Sequence, residues 1–253
     1  MSSLTISVII FVCLLGSAML GMFLGGVLPP HHIKDDSKDI VKLMVGLLAT
    51  LSALVLGLLI SSAKGSFDKT SDEIVRSSAD IVALDRVLAH YGPEAAEIRT
   101  SMKQSYTKTF ELLFSGDAAQ QAKLDTPEAL ARSEAIQVKL NELTPANDTQ
   151  RRLQARALAI LADLSLNRWL IVVQKDSSRM LPIVFALVFW LCLIFIAFGL
   201  FAPRNVTVVC AFLVSALSVA GALFLILELE GPLDGLMRVS DAPARSALSH
   251  LGE

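Results

Sequence analysis

Charged residues and cysteines are both scarce in this chain of 253 residues, and each scarcity excludes a class of protein. Only 18% of the residues are charged, and 22 Lys and Arg stand against 24 Asp and Glu. The chain therefore lacks the basic excess that nucleic-acid binding requires. Its three cysteines all fall within apolar runs, which argues against a disulfide framework and against a zinc site.

Signatures of catalysis are also missing. The four histidines are scattered apart from one adjacent pair, and the G-x-S-x-G, H-E-x-x-H, P-loop and C-x-x-C motifs are absent. The sequence therefore predicts a protein that is not an enzyme and that carries no cofactor and no bound metal.

Apolar residues, in contrast, are abundant: 53% of the chain is hydrophobic, and the mean hydropathy is +0.59. They concentrate in four stretches of about 20 residues, and a helix of that length crosses the ~30 Å hydrocarbon core of a bilayer. The stretches are residues 6–28, 41–60, 180–201 and 206–227. This pattern predicts an all-α, polytopic membrane protein with four transmembrane helices.

The first stretch resembles a signal peptide in position but not in detail. It has no basic n-region, its apolar run is too long for an h-region, and no small-x-small cleavage site precedes Pro29 and Pro30. We expect it to be a retained helix.

The four spans form two hairpins separated by a long polar region that holds 32 of the 46 charged residues, 16 of each sign. In this region apolar residues recur at steps of three and four, which predicts helices throughout. No helix breaker lies between Ile60 and Tyr91, so we expect the second membrane helix to continue into this region as one long rod. The predicted domains are a first hairpin (1–60), a helical cytoplasmic region (61–179), a second hairpin (180–230) and a cytoplasmic tail (231–253).

An even number of spans places both termini and the polar region on one side of the membrane. Near the membrane boundaries this side carries seven Lys or Arg residues and the other side carries four, so the positive-inside rule predicts that it is cytoplasmic. The seven are Lys64, Lys69, Arg168, Lys175, Arg179, Arg238 and Arg245, and the four are Lys34, Lys38, Lys42 and Arg204.

Helix 2 carries a narrow stripe of small and polar residues, within roughly 80° of one another on a wheel of 100° per residue. The stripe consists of Gly46, Thr50, Ala53, Gly57 and Ser61. Lys42 and Lys64 lie at its two ends, where they would raise the local concentration of anions. The stripe predicts a pore-lining face with charged pore mouths, and the opposite face, with Leu48, Leu51, Val55 and Leu59, suits lipid.

Close helix packing is the alternative interpretation of such a stripe. Small residues at steps of three and four let membrane helices approach one another, and helix 4 carries a similar stripe. That second stripe consists of Thr207, Ala211, Ser215, Ser218 and Ala222.

Two polar clusters flank the spans. His31 and His32 are a candidate pH-responsive loop, and the alternative is a hydrated loop leading into helix 2. Glu228, Glu230 and Asp234 are candidate cation-binding or gating acids, and the alternative is a helix end that meets water, marked by Gly231-Pro232.

Seven segments, distributed over both hairpins and the first polar helix, carry a family resemblance. They are LPPHH (28–32), DSKD (36–39), GLLATLSALVLGLL (46–59), AKGSFD (63–68), LDRVLAHYGPEA (84–95), FGLFAPRN (198–205) and ELEGPLDGL (228–236). These segments resemble the bacterial bestrophin-like family, long catalogued as a domain of unknown function.

The wider bestrophin resemblance implies a pentameric ion channel with cytoplasmic termini, in which the second membrane helix lines a central pore with an apolar neck. This chain departs from that pattern in two ways. Its helix 2 stripe consists of small residues rather than bulky apolar ones. Its acidic residues after the fourth span are more widely spaced than the dense acidic run of the calcium-binding bestrophins.

The sequence thus predicts an oligomeric, pentameric ion channel of the bacterial inner membrane that passes small inorganic ions. Its expected partners are the lipid bilayer and further copies of the chain. Two other interpretations stay open: a stator-like subunit, and a signalling scaffold whose cytoplasmic helical bundle binds a partner.

Overall fold

The structure is a computed structural model that describes residues 2–27, 35–175, 180–233 and 235–252. Within these ranges it consists of nine α-helices, two short 3₁₀ turns and irregular connections, with no strand. The helices are α1 (Ser3–Val27), α2 (Asp35–Tyr91), α3 (Ala96–Leu113), α4 (Ala118–Gln121), α5 (Pro127–Glu142), α6 (Asp148–Lys175), α7 (Met180–Phe201), α8 (Val206–Glu230) and α9 (Ala242–His250). The predicted all-α class is confirmed.

Four of the described helices are long and apolar enough to cross a membrane, as the four apolar stretches predict. They are Ser3–Val27, Lys38–Tyr91, Pro182–Phe201 and Val206–Glu230. The predicted rod is confirmed as well, because α2 runs without a break for 57 residues, about 85 Å at 1.5 Å per residue. It ends at Tyr91, and Gly92 follows with a φ of 129°, a backbone angle that favours glycine.

Contacts divide the chain into two units. The membrane unit consists of Met1–Ser66 and Ser178–Glu230, and the polar unit consists of Phe67–Ser177 and Gly231–Glu253. Helix α2 contributes to both.

In the membrane unit, α1 packs against α7 and α8. Glycines bring α1 and α7 into backbone contact: a Cβ atom on Gly21 would collide with the carbonyl group of Ile196, and one on Gly199 would collide with the carbonyl oxygen of Ala18. Gly25 is equally confined, by the carbonyl oxygen of Leu200. The Gly21-x-x-x-Gly25 spacing is the sequence signal for this contact, which was not among the predicted features.

Residues 202–205 form the short turn between α7 and α8. Arg204 reaches across to α1, where its Nη2 donates a hydrogen bond to the carbonyl oxygen of Met22 at 2.9 Å. A carbonyl oxygen has two lone pairs, so this bond adds to the one within the helix and ties the turn to the end of α1. Asn205 begins α8, since its Oδ1 accepts the Val208 N–H at 2.9 Å.

The core of the polar unit forms where α2, α3, α5, α6 and α9 meet, around Leu84, Leu88, Met102, Leu140 and Leu251, each at most 2% exposed. Burial of such side chains stabilises a fold by about 1.5–3 kcal/mol each. Leu251 shows that the C-terminal residues belong to this core.

Asp85 lies in the same core with 1% of its surface exposed. It accepts hydrogen bonds from Nε and Nη2 of Arg99 at 2.8 and 2.7 Å, and from the Gly252 N–H at 3.3 Å. Burial acts to raise the pKa of Asp85, but the Arg99 and Gly252 donors outweigh it, and the pKa is held below its ordinary value. The carboxylate therefore stays ionised and ties α3 and the C-terminal segment to α2.

Candidate pore-lining face of helix α2

The apolar part of α2 has one face inside the membrane unit. Ser52, Leu59 and Ala63 are 3%, 4% and 0% exposed, and Leu59 and Ala63 belong to a cluster with buried residues of α1, α7 and α8. Val55 and Leu56 pack against the same cluster. This face holds α2 against α1, α7 and α8.

The sequence-based assignment of Leu48, Leu51, Val55 and Leu59 to lipid is therefore wrong for Leu59 and Val55. Leu59 is buried in the membrane unit and Val55 packs against the same cluster, whereas Leu51 is 44% exposed. The reason is physical: a leucine gains about as much from an apolar protein neighbour as from lipid, so hydrophobicity alone cannot distinguish the two.

The stripe of small residues lies on the uncovered side of α2. Its members are all exposed in the single chain: Gly46, Thr50, Ala53, Gly57 and Ser61. A Cβ atom built on Gly46 or Gly57 would meet nothing within 4 Å. Unlike Gly21 and Gly199, these glycines bring no other part of the described chain close.

The Thr50 hydroxyl is satisfied by its own helix. Its Oγ1 lies 2.7 Å from the carbonyl oxygen of Gly46 and 3.1 Å from that of Leu47, so it donates its proton to the backbone. The oxygen keeps a lone pair for an outside donor, such as water.

A second stripe, of leucines, lies beside the small one on the same uncovered side of α2. Its members are Leu43, Leu47, Leu51, Leu54 and Leu58, all exposed in the single chain. Leucine at steps of four, four, three and four is the sequence signal for this stripe, which was not among the predicted features.

The two lysines of the candidate pore mouths are exposed. Lys42 pairs with Asp39 one turn earlier, at 3.3 Å between Nζ and Oδ1.

The stripe on α8 is exposed at Thr207, Ala211, Ser215 and Ser218, so exposure by itself does not single out α2.

The remaining candidate residues lie apart from this face in sequence. Glu228 is buried and Glu230 half-buried in the last turn of α8. His31, His32 and Asp234 lie outside the described residues, and so does the junction between α6 and α7. Within the part of the chain that the structure describes, no three His, Cys, Asp or Glu side chains are grouped so as to hold a metal ion.

Comparison with known proteins supplies the family. A family model, the Bestrophin-like domain, matches residues 12–244. A solved structure, described as the crystal structure of a membrane protein, is similar over 96% of each chain, with a TM-score of 0.65 and 14% sequence identity, which shows the fold alone. A search of curated proteins gave no match. Because the family model matches well over half of the chain, from within α1 to within α9, this chain belongs to the bestrophin-like family.

Proposed function

We propose that this protein is an oligomeric ion channel, a pentamer, in which the uncovered side of α2 lines a central pore for small inorganic ions. The observation that carries the proposal is the division of α2 into two sides. One side is buried in the subunit through Ser52, Leu59 and Ala63, while the stripe from Gly46 to Ser61 is left uncovered.

Lipid is a poor neighbour for that stripe. The backbone of the stripe is hydrogen-bonded within α2, but the Thr50 hydroxyl oxygen keeps a lone pair that water in a pore can donate to and hydrocarbon cannot. In the proposed assembly, the small stripe faces the pore and the leucine stripe packs against the neighbouring copy of α2. Lys42 and Lys64 then lie at the two mouths, where their charge attracts anions.

The proposed location is the bacterial inner membrane, with the polar unit and both termini in the cytoplasm. The excess of Lys and Arg on that side supports this orientation. The sequence-based boundaries, with hairpins at 1–60 and 180–230, a cytoplasmic region at 61–179 and a tail at 231–253, remain part of the proposal.

The test is cysteine accessibility in a channel freed of its own thiols. Cys13, Cys192 and Cys210 are replaced by alanine, because Cys13 and Cys210 are exposed and would react. Thr50→Cys and Ala53→Cys are then compared with Leu54→Cys and Leu58→Cys, in liposomes treated with a negatively charged, thiol-specific reagent.

We expect the reagent to change ion flux several-fold in the Thr50 and Ala53 variants and to leave the two leucine variants unchanged. The opposite pattern would show that the leucines form the lining. A protein that passes no ions under any gradient, or a particle image with no axis surrounded by five copies of α2, would contradict the proposal.

A further inference from the structure

A basic cleft lies between α3 and α5 of the polar unit, with a volume of about 300 Å³. Three of its eight lining residues are cations, and two are serines. The lining consists of Ser101, Gln104, Ser105 and Lys108 from α3 and Arg132, Ala135, Ile136 and Lys139 from α5.

Two of the three cations lack a hydrogen-bonded acid. Within the described residues, Lys108 has no carboxylate within 4.0 Å, and the Nε of Arg132 is shut off from solvent without a hydrogen-bond partner. A buried N–H group without an acceptor is destabilising, and more so when the group is charged. The cleft therefore lacks a hydrogen-bond acceptor for the Arg132 Nε group.

Two acids partly offset this charge. Glu97 accepts a hydrogen bond from Lys139 at 2.7 Å, which lowers the pKa of Glu97. Glu128, one turn before Arg132 on α5, interacts with it through space. Lys139 also lies 3.5 Å from the hydroxyl oxygen of Ser101, so its ammonium group remains at the cleft.

We propose that this cleft binds a ligand through a phosphate monoester group. Such a group carries up to two negative charges and three acceptor oxygens, which match the guanidinium group of Arg132, the ammonium group of Lys108 and the neighbouring hydroxyl groups. The volume exceeds what a phosphate alone needs and is at the lower limit of small-molecule sites. The proposal concerns the polar unit only and does not depend on whether α2 lines a pore.

An apolar cavity of about 170 Å³ shares Ser105 and Ile136 with the basic cleft. Ile81, Met102 and Phe110 are among its walls. The phosphate group therefore has two possible sources: a soluble metabolite that occupies the cleft alone, or a single-chain lipid whose alkyl chain enters the apolar cavity.

The test uses the full chain, purified in detergent and titrated calorimetrically with two probes, glycerol 3-phosphate and lysophosphatidic acid. Lysophosphatidylcholine, whose phosphate is a diester, is the control lipid. We expect saturable binding of at least one probe, weakened about tenfold by Lys108→Gln and by Arg132→Gln. Arg156→Gln removes the same charge from an exposed position on α6 outside the cleft, and it should leave the affinity unchanged.

A second pair of variants avoids the half-buried arginine. Ala135→Glu places a negative charge in the cleft and should abolish binding, while Ala131→Glu, one turn away on α5, should not. Both alanines are exposed, so neither change disturbs the core. If neither probe saturates, or if the control variants weaken binding as much as the cleft variants, the proposal is overturned. Binding of lysophosphatidic acid alone identifies a lipid as the source, and binding of glycerol 3-phosphate identifies a soluble monoester.

Discussion

At the scale of single residues, Asp85 is the position where a substitution is most clearly expected to destabilise the protein. It is a charged group in the core of the polar unit, paired in a two-bond fork with Arg99, which is itself 21% exposed. A buried pair is costly to form but more costly to break from one side, because the remaining charge stays buried without its partner. The pair therefore also fixes how α2, α3 and the C-terminal segment fit together.

Replacing Asp85 with asparagine should destabilise the polar unit by about 3 kcal/mol at neutral pH, since Arg99 keeps its charge in a half-buried site. Thermal unfolding of the full chain measures this loss. The control is Asp72→Asn, an exposed acid on the same helix, which should have little effect.

The dependence on pH provides a second readout for the same pair. Because the pKa of Asp85 in the folded chain lies below its ordinary value of 3.8, the contribution of the pair is complete above that value and is lost as the pH falls through the folded pKa. The stability difference between the parent and Asp85→Asn should thus be constant at neutral pH and shrink below about pH 4. A difference that shrinks already between pH 7 and 5 would contradict this assignment.

At the scale of helices, glycines have two opposite uses in the membrane unit. Gly21, Gly25 and Gly199 let the backbones of α1 and α7 come into contact. Gly46 and Gly57, in contrast, lie on a face of α2 where no other part of the described chain is close. Sequence spacing alone does not separate these uses, since both sets recur at helical steps. The neighbours that the tertiary structure provides are what separates them.

Gly199→Ala should therefore destabilise the protein by about 1–3 kcal/mol, because its Cβ atom forces α1 and α7 apart at the Ala18 carbonyl oxygen. Gly16→Ala, on α1, is the matched control: its Cβ atom meets nothing within 4 Å, and alanine is the better helix former by about 1 kcal/mol. Unfolding in detergent should rank Gly16→Ala at or above the parent and Gly199→Ala below it. Equal losses in both would show that the contact between α1 and α7 contributes nothing.

At the scale of the whole molecule, the chain builds two units from segments that are not contiguous in sequence. The polar unit takes residues 67–177 and also 231–253, and residues from both parts share its core. A segment that reads as a polar tail is thus part of a packed unit. The sequence gives only a weak indication of this packing, because α9 is nine residues long and contributes small side chains, Ala244 and Ala247, to the buried surface.

Leu251→Ala should cost about 2–5 kcal/mol of stability, as expected for a fully buried leucine, even though it lies at the third position from the end of the chain. Leu236→Ala, in the same segment and 79% exposed, should change the free energy of unfolding by no more than about 0.5 kcal/mol in either direction, as is usual for surface substitutions. Protease sensitivity of the polar unit should follow the same order. If Leu251→Ala is neutral, the C-terminal segment does not belong to the core.

Hydrophobic pattern and helix breakers were sufficient to predict the all-α class, four membrane helices and the continuation of the second membrane helix to Tyr91 as one rod. They sufficed because a bilayer requires about 20 apolar residues per span and because glycine and proline end helices through local geometry. Which face of α2 is buried, which glycines touch a neighbour and which cations meet between α3 and α5 were decided only by the tertiary structure. Those features depend on the positions of residues distant in sequence, and periodicity contains no information about which neighbour a face will meet.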